Sequence, residues 1–92
     1  MCSRSVIVAN RLGLHARASA RFVHLASLFE SQIRITRGAH TIDGKSIMGI
    51  LLLAAASGTT LTVAAEGKDE QEAVETLCRF IEMGFGEDIC SA

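Results

Sequence analysis

The order of strand-like and helix-like segments along the chain constrains its fold more than any other feature of the sequence. Apolar residues recur with a period of two in some segments and with helical spacing in others, in the order β-α-β-β-α-β-α. This order favours an α+β domain in which helices cover one face of a largely antiparallel sheet. The 92 residues give room for one core, so we expect a single domain over residues 1–92, ending in a short tail over residues 85–92.

Four segments have the composition of strands. Ser5–Ala9 carries apolar residues on both faces, so we expect this strand to lie inside the sheet. Gln32–Arg37 alternates polar and apolar residues, and a glycine turn leads from it into an antiparallel partner at His40–Asp43. The last strand covers residues 60–65, and the side chains expected on its buried face are Leu61, Val63 and Ala65.

Three segments have the spacing of helices. The first runs from Ala16 to about Phe29, and the second covers Ile47–Ala54 behind Ser46, which is a favourable N-cap residue. The third begins at Asp69, which forms a capping-box pattern with Glu72, and ends near Gly84. The expected core-facing residues are Ala16, Ala20, Val23 and Ala26 in the first helix, Ile50, Leu53 and Ala54 in the second, and Ala73, Val74, Leu77, Phe80 and Ile81 in the third.

Charge and composition exclude several classes of protein. Nine basic and ten acidic residues give a formal net charge of -1, so nothing favours binding to nucleic acid or to an acidic membrane surface. The longest apolar run, residues 47–56, is about half the length of a membrane span, and we expect no membrane insertion. The odd number of cysteines fits a reducing compartment, so we expect a cytoplasmic protein.

The residues that commonly bind metals are not spaced as a metal site. Cys2, Cys78 and Cys90 form no C-x-x-C pair, and His24 and His40 stand apart in sequence. We therefore expect no metal and no cofactor.

Asn10–Arg17 is the segment with the strongest chemical signature, because it places a histidine between a predicted strand and a predicted helix. If the helix begins just after His15, the first N–H groups of that helix have no intrahelical acceptor, and the helix dipole favours an anion there. Arg17 adds a guanidinium that can bind phosphate with two hydrogen bonds, and Gly13 allows a close approach. The segment predicts a histidine that accepts a phosphoryl group.

Two other classes of small α+β protein share the order of the first six elements but lack the required residues. A ferredoxin-like RNA-binding domain stacks bases on aromatic residues of its strands, whereas this chain has no Tyr or Trp and its four phenylalanines fall in helices or the tail. A ferredoxin-like metal carrier needs a cysteine pair in its first loop, and that loop contains none.

Three motifs together resemble the HPr family, the histidine-containing phosphocarriers of the bacterial phosphoenolpyruvate-dependent phosphotransferase system. Gly13–Arg17 followed by Ala20–Val23 is similar to the family's active-site segment, and Asp43–Leu51 to its regulatory-serine segment. Glu66–Glu70 is similar to the approach to the last helix. The resemblance implies an open-faced β-sandwich, with a four-stranded antiparallel sheet covered on one face by three helices.

The resemblance also implies the roles of the residues around the histidine. His15 would take a phosphoryl group on Nδ1 from enzyme I and pass it to an enzyme IIA domain. Arg17 would close over the phosphoryl oxygens, and the backbone of Ala16, Arg17 and Ala18 would cradle them. Ala18 departs from the family, which usually has proline there, so we expect carrier activity to survive with altered transfer rates.

Ser46 and the apolar helix after it carry the remaining functional expectations. The resemblance implies that an HPr kinase/phosphorylase could phosphorylate Ser46, and a phosphate there would add negative charge beside the surface that docks partners. The helix has more apolar residues than one inward face can hold, so some must be exposed and available for docking. The residues expected to dock partners are Leu14, Ala20, Ile47, Met48 and Leu51, on a protein expected to be a monomer.

Two alternative functions remain compatible with the sequence. A regulatory paralogue of the nitrogen-related phosphotransferase branch would use the same His15 to deliver signals. An interaction scaffold would never be phosphorylated, and Ala18 is the one residue that favours it. Incubation with phosphoenolpyruvate and enzyme I distinguishes a carrier from a scaffold.

Overall fold

The computed structural model describes residues 1–86 and contains a four-stranded antiparallel sheet with three helices packed on one face. This confirms the open-faced α+β fold. The helices and strands are, in chain order, β1 (Cys2–Ile7), α1 (Ala16–Ala26), β2 (Gln32–Arg37), β3 (His40–Asp43), α2 (Ile47–Leu53), β4 (Thr60–Glu66) and α3 (Glu70–Glu82), followed by a single 3₁₀ turn at Gly84–Gly86.

The strands lie in the order β1-β4-β2-β3, so β1 is at an edge of the sheet. The expectation that this strand lies inside the sheet is therefore wrong, and its limits are Cys2–Ile7 rather than Ser5–Ala9. Apolar residues on both faces indicate a central strand only where both faces of the sheet are covered. Here one face is open, and Ile7 remains 57% exposed on it while Val6 is buried on the other.

The two central strands supply the sheet's contribution to the core, as their alternation predicts. Leu61, Val63 and Ala65 of β4 are buried, and so are Ile33 and Ile35 of β2. The hairpin between β2 and β3 is antiparallel, with the limits expected from the sequence. The alternation is reliable here because successive side chains of these two strands face the helices and the open side of the sheet in turn.

Helix α1 is shorter than expected and buries a different face. It ends at Ala26, because the N–H groups of Leu28 and Phe29 bond to carbonyls three residues back and tighten the chain into a turn. Its buried residues are Ala18, Ser19, Phe22 and Ala26, whereas Ala16 and Ala20 are exposed. The large ring of Phe22 determines which face turns inward, and the small alanines do not.

Helix α2 begins where the sequence indicates but ends one residue earlier. Ile50 and Leu53 are buried, as expected. Ala54 is instead exposed and adopts a left-handed conformation (φ 49°, ψ 41°) that terminates the helix. A left-handed residue is a common helix terminator, but it is usually glycine, so the sequence did not indicate an end at this position.

The start of α3 is not a capping box. Asp69 makes no capping hydrogen bond to its own helix, and its carboxylate accepts hydrogen bonds from the N–H groups of Glu30 and Ser31 and from the Ser31 hydroxyl. Glu70, rather than Glu72, bonds back to the preceding loop by accepting the Gly67 N–H at 3.2 Å. Asp69 thus ties α3 to the segment before β2, a contact between residues far apart in sequence.

The chain beyond α3 is part of the core as far as Phe85, so the expected start of the tail at residue 85 is wrong. Phe85 is fully buried, and its ring packs edge-on against Phe22 and Phe80. Arg21 Nη1 also donates a hydrogen bond to the Phe85 carbonyl at 3.2 Å. The rest of the expected tail, including Cys90, lies outside the described residues. No helix within residues 1–86 is long and apolar enough to cross a membrane.

Candidate functional site

The candidate site lies at one end of the sheet, where the loop after β1 meets the loop between α2 and β4. Val8 N–H donates to the Thr59 carbonyl at 2.9 Å, and Leu14 N–H donates to the Ala55 carbonyl at 2.8 Å. These bonds join the segment that carries His15 to the segment that follows α2. We call residues 8–15 the histidine loop, and tertiary hydrogen bonds hold it near both of its ends.

Gly13 is required by the backbone at this junction. Its φ is +68°, in the left-handed region, and an added Cβ would collide with the carbonyl oxygen of Ala55 and lie 2.9 Å from the Cα of Ala56. The sequence correctly indicates a close approach at Gly13. The group that approaches, however, is the protein's own backbone rather than a bound anion.

Asn10 is a residue of the site that the sequence analysis did not single out. Its side chain is fully buried, and its Nδ2 donates to the Gly13 carbonyl at 2.8 Å. The same carbonyl accepts the His15 N–H at 3.2 Å, and Gly13 N–H returns to the Asn10 carbonyl at 3.2 Å. The only signal in the sequence is the turn preference of asparagine close to glycine, which says nothing about burial.

His15 occupies the N-cap position of α1, as the sequence predicts for a histidine at the start of a helix. Its backbone is extended (φ -105°, ψ 180°), its carbonyl accepts the Ser19 N–H at 2.8 Å, and its imidazole makes no capping bond to the first turn. The first N–H groups of a helix lie ahead of the intrahelical ladder, and here they belong to Ala16, Arg17 and Ala18. The half-buried histidine thus lies at the end of the helix that favours an anion.

The side chains of the first turn of α1 differ in exposure. Arg17 is exposed beside His15, and the first turn of this helix contains no acidic residue. Ala20, an expected docking residue, is exposed one turn further on. The methyl group of Ala18, in contrast, is fully buried in the core, so this residue can offer only its backbone to a ligand.

Ser46 is the N-cap of α2, as the sequence predicts. Its Oγ accepts the Gly49 N–H at 3.1 Å, and its carbonyl accepts the Ile50 N–H at 3.0 Å. The residue is half-buried, and α2 packs against α1. Ser46 is thus fixed at the start of the same apolar helix whose end is joined to the histidine loop.

The outward face of α2 is an apolar surface. Met48 is 71% exposed and Ile47 is 42% exposed, while Leu51 is half-buried. Leu52, which was not among the expected docking residues, is 77% exposed. It lies four residues after Met48, so helical spacing alone places both on one face.

Leu14 is the one expected docking residue that the structure corrects. Its side chain is only 9% exposed and forms part of the hydrophobic core. The bond from Leu14 N–H to Ala55 fixes this backbone so that the side chain turns inward. Leu12, two residues earlier, is 71% exposed and is the apolar side chain that this loop presents to solvent.

Three of the groups with shifted pKa values, namely Asp69, Glu70 and the amino terminus, lie away from this site. Hydrogen bonds from the Ser31 hydroxyl and the Glu30 N–H lower the pKa of Asp69, and the Gly67 N–H lowers that of Glu70. The Glu70 carboxylate, 3.1 Å from the amino terminus, raises the pKa of that amine. These groups lie at the opposite end of the sheet, so they stabilise the fold rather than act in the site.

Known proteins similar to this chain agree with the geometry. A family model described as "PTS HPr component phosphorylation site" matches residues 2–83. The phosphocarrier protein HPr of Cupriavidus necator is 47% identical over 87 residues, which cover 95% of this chain and 98% of that protein. The solved structure of HPr-C-His from Thermoanaerobacter tengcongensis gives a TM-score of 0.91 at 42% identity, covering 97% of this chain and 100% of that one.

Other similar proteins have related names. They include the HPr-like protein Crh of Halalkalibacterium halodurans and the phosphocarrier protein NPr of Shewanella violacea, and one solved structure is described as an HPr dimer from Thermoanaerobacter tengcongensis. The family model covers most of the chain, and the relatives match it over nearly their whole length. This chain therefore belongs to the HPr family, the phosphocarriers of the phosphotransferase system.

Proposed function

We propose that His15 is the residue on which this phosphocarrier holds the phosphoryl group. Family membership implies partners of the phosphotransferase system such as enzyme I and enzyme IIA. When His15 takes up the group, the lone pair of one of its imidazole nitrogens forms a bond to phosphorus while the bond from phosphorus to the donor breaks. When His15 passes the group on, this nitrogen–phosphorus bond breaks while the acceptor forms a bond to phosphorus. The observation that carries the proposal is the position of His15 at the N-cap of α1, where negative charge is favoured.

The first turn of α1 supplies the groups that would hold the phosphoryl oxygens. The N–H groups of Ala16, Arg17 and Ala18 point along the helix axis toward its N-terminal end. The guanidinium of Arg17, exposed beside them, can bind two oxygens at once. Together they would balance the charge that His15 gains when it is phosphorylated.

Phosphorylation by enzyme I with phosphoenolpyruvate tests this role directly. We expect the parent chain to gain an acid-labile phosphate and His15→Ala to gain none. His24→Ala is the matched control, because His24 is an exposed histidine on the same helix and should not affect labelling. If the parent chain takes up no phosphate, it is an interaction scaffold, and if His15→Ala is labelled, the acceptor is another residue.

We expect Ala18 to affect how fast the phosphoryl group is transferred, and not whether transfer occurs. Proline at this position would remove one N–H from the first turn and fix the backbone, whereas alanine leaves that N–H able to point at the phosphate. We expect Ala18→Pro to transfer phosphate at a different rate from the parent chain. Equal rates would show that the rigidity of the first turn does not matter.

The outward face of α2, with Ala20 of α1, is the surface that we assign to partner docking. It combines exposed apolar side chains with a flexible methionine that can pack against different partners: Ile47, Met48, Leu51 and Leu52. We expect Met48→Asp to raise the KM for enzyme I by about fivefold, since loss of one interface contact is worth about 1 kcal/mol. Leu28→Asp is the matched control, because Leu28 is equally exposed at 69% but follows the far end of α1.

Ser46 is the site that we assign to regulatory phosphorylation by an HPr kinase/phosphorylase. A phosphate on Oγ would remain at the start of α2 and place negative charge beside Ile47 and Met48. Incubation with the kinase followed by mass spectrometry should find phosphate in the parent chain and none in Ser46→Ala. The phosphorylated chain should then accept phosphate from enzyme I more slowly.

We propose that the protein is a monomer, that it works in the cytoplasm, and that it serves sugar-coupled phosphoryl transfer. A carrier must present one face to successive partners, and a dimer that covers α2 would block that face. Sedimentation at micromolar concentration tests the monomer, and a dimer would contradict it.

The nitrogen-related branch is the alternative to sugar-coupled transfer, and transfer to a sugar-specific rather than a nitrogen-related enzyme IIA distinguishes the two.

A further inference from the structure

We propose that Asn10 is a positioning residue for the phosphoryl transfer, an inference that rests on the proposed role of His15. Its carboxamide is fully buried at the end of the sheet where the histidine loop lies. Burying a polar amide is costly unless it is hydrogen-bonded, and the bond that Asn10 Nδ2 donates goes to the Gly13 carbonyl at 2.8 Å. The side chain therefore has a specific partner in the loop that precedes His15.

The peptide group between Gly13 and Leu14 is bonded at both of its ends. Its carbonyl accepts Nδ2 of Asn10, and its N–H donates to the Ala55 carbonyl at 2.8 Å. A peptide is planar, so these two bonds together fix the orientation of the whole group. Without the Asn10 bond, the carbonyl end of this peptide would keep only the longer bond from the His15 N–H at 3.2 Å, so the plane would be held less tightly and could rotate about its bond to Ala55.

That peptide in turn sets the backbone of His15. The Gly13 carbonyl also accepts the His15 N–H at 3.2 Å, which closes a tight turn around Leu14. Leu14 cannot absorb a change, because its side chain is buried in the core. A rotation of the peptide would therefore be passed on to His15 and would shift its side chain relative to the first N–H groups of α1. A displacement of about 1 Å costs about a hundredfold in a positioned reaction.

Asn10→Asp is the sharpest substitution, because it keeps the shape of the side chain while replacing the donor. An ionised carboxylate cannot donate to the Gly13 carbonyl and would repel it, whereas a protonated carboxyl can donate. We expect transfer from enzyme I, relative to the parent chain at the same pH, to fall about ten- to a hundredfold at pH 8 and to recover as the pH is lowered. Asn10→Ala should lose transfer at every pH.

Ser31→Ala is the matched control for a general loss of stability. Ser31 is also a buried polar residue whose side chain makes a hydrogen bond, but it lies at the opposite end of the sheet. We expect Ser31→Ala to lower the melting temperature and leave the transfer rate unchanged. Hydrogen exchange adds a readout that needs no activity: the Leu14 amide should exchange faster in Asn10→Asp and at the parent rate in Ser31→Ala.

The outcomes separate the inference from the function on which it rests. If the parent chain is not phosphorylated on His15, the proposed function fails. If the parent is phosphorylated and Asn10→Asp, folded at pH 8, transfers at the parent rate, the positioning role is overturned. The role is equally overturned if Ser31→Ala loses as much transfer for the same loss in melting temperature. Should Asn10→Ala not fold, the pH dependence and the Leu14 exchange of Asn10→Asp still decide the matter.

Discussion

The starts of α1 and α2 are built in opposite ways. Ser46 caps α2 with its own side chain, which accepts the N–H of Gly49. His15 holds the same position on α1, but its imidazole makes no capping bond, and the chain before it is held by Asn10 and by the Ala55 carbonyl. The start of α2 is encoded by its own cap residue, whereas the start of α1 depends on the bond from Asn10 to Gly13 and on the long-range contact with Ala55, and not on a capping bond from the side chain of His15.

The largest expected effect on stability comes from breaking the contact between the loop before α1 and the Ala55 carbonyl. Gly13→Ala forces a left-handed alanine, which costs about 1–2 kcal/mol, and drives its Cβ into the Ala55 carbonyl, which breaks a hydrogen bond worth about 1 kcal/mol. We expect a loss of about 3 kcal/mol in the free energy of unfolding, measured with urea.

Gly38→Ala serves as the control for Gly13→Ala. Gly38 also has a positive φ of +59°, but nothing lies within 4 Å of an added Cβ, so this substitution should cost only about 1 kcal/mol. Equal losses at the two glycines would mean that the contact with Ala55 contributes nothing.

The next effect concerns the start of α3, where Asp69 bonds to residues distant in sequence. The pKa of Asp69 is lowered in the folded chain, above all by the hydrogen bond from the Ser31 hydroxyl. The ionised carboxylate therefore stabilises the fold fully above the pKa of Asp in the unfolded chain, about 3.9, and this contribution is lost as the pH falls through the lower pKa of the folded chain. Asp69→Asn should therefore be less stable than the parent at pH 7, and the difference should shrink in acid.

Thermal unfolding between pH 2 and pH 7 measures this difference. Glu75→Gln, which removes an exposed carboxylate from the same helix, is the control and should leave the pH dependence unchanged. A gap between Asp69→Asn and the parent that stays constant across this range would contradict the role of the ionised carboxylate.

A smaller effect compares the two N-caps directly. Ser46→Ala removes a capping bond and should cost about 1 kcal/mol, whereas His15→Ala removes no capping bond and should cost less than Ser46→Ala. Chemical denaturation of both variants under the same conditions tests the contrast. A larger loss for His15→Ala would show that the imidazole does stabilise the start of α1.

The smallest expected effect is a gain at the end of α2. Ala54 holds a left-handed conformation that glycine adopts without strain, so Ala54→Gly should stabilise the protein by about 0.5 kcal/mol after the greater entropy of the unfolded glycine is deducted. Ala56→Gly, a neighbouring exposed residue with ordinary φ, should not stabilise it. If both variants lose stability equally, the strain at Ala54 is negligible.

Local pattern was enough for much of the fold and for part of the site. Alternation located β2 and β3, and the preference of serine for N-caps located the start of α2. Helical spacing indicated that Ile47 and Met48 could be exposed, and they are. These predictions hold because each depends on residues a few positions apart, whose geometry is fixed by the period of a helix or a strand.

The order of elements, the resemblance to the family and the histidine at the start of a helix all follow from the amino-acid sequence alone. The packing of the folded chain was needed to show that β1 lies at an edge, that Phe85 belongs to the core, and that Leu14 turns inward while Leu12 is exposed. Packing also decided that Asp69 bonds to Ser31, and that the Asn10 side chain is buried where it bonds to Gly13 three residues on. Each of these depends on which segment packs against which, and burial and hydrogen bonds between distant segments leave no periodic pattern in the chain.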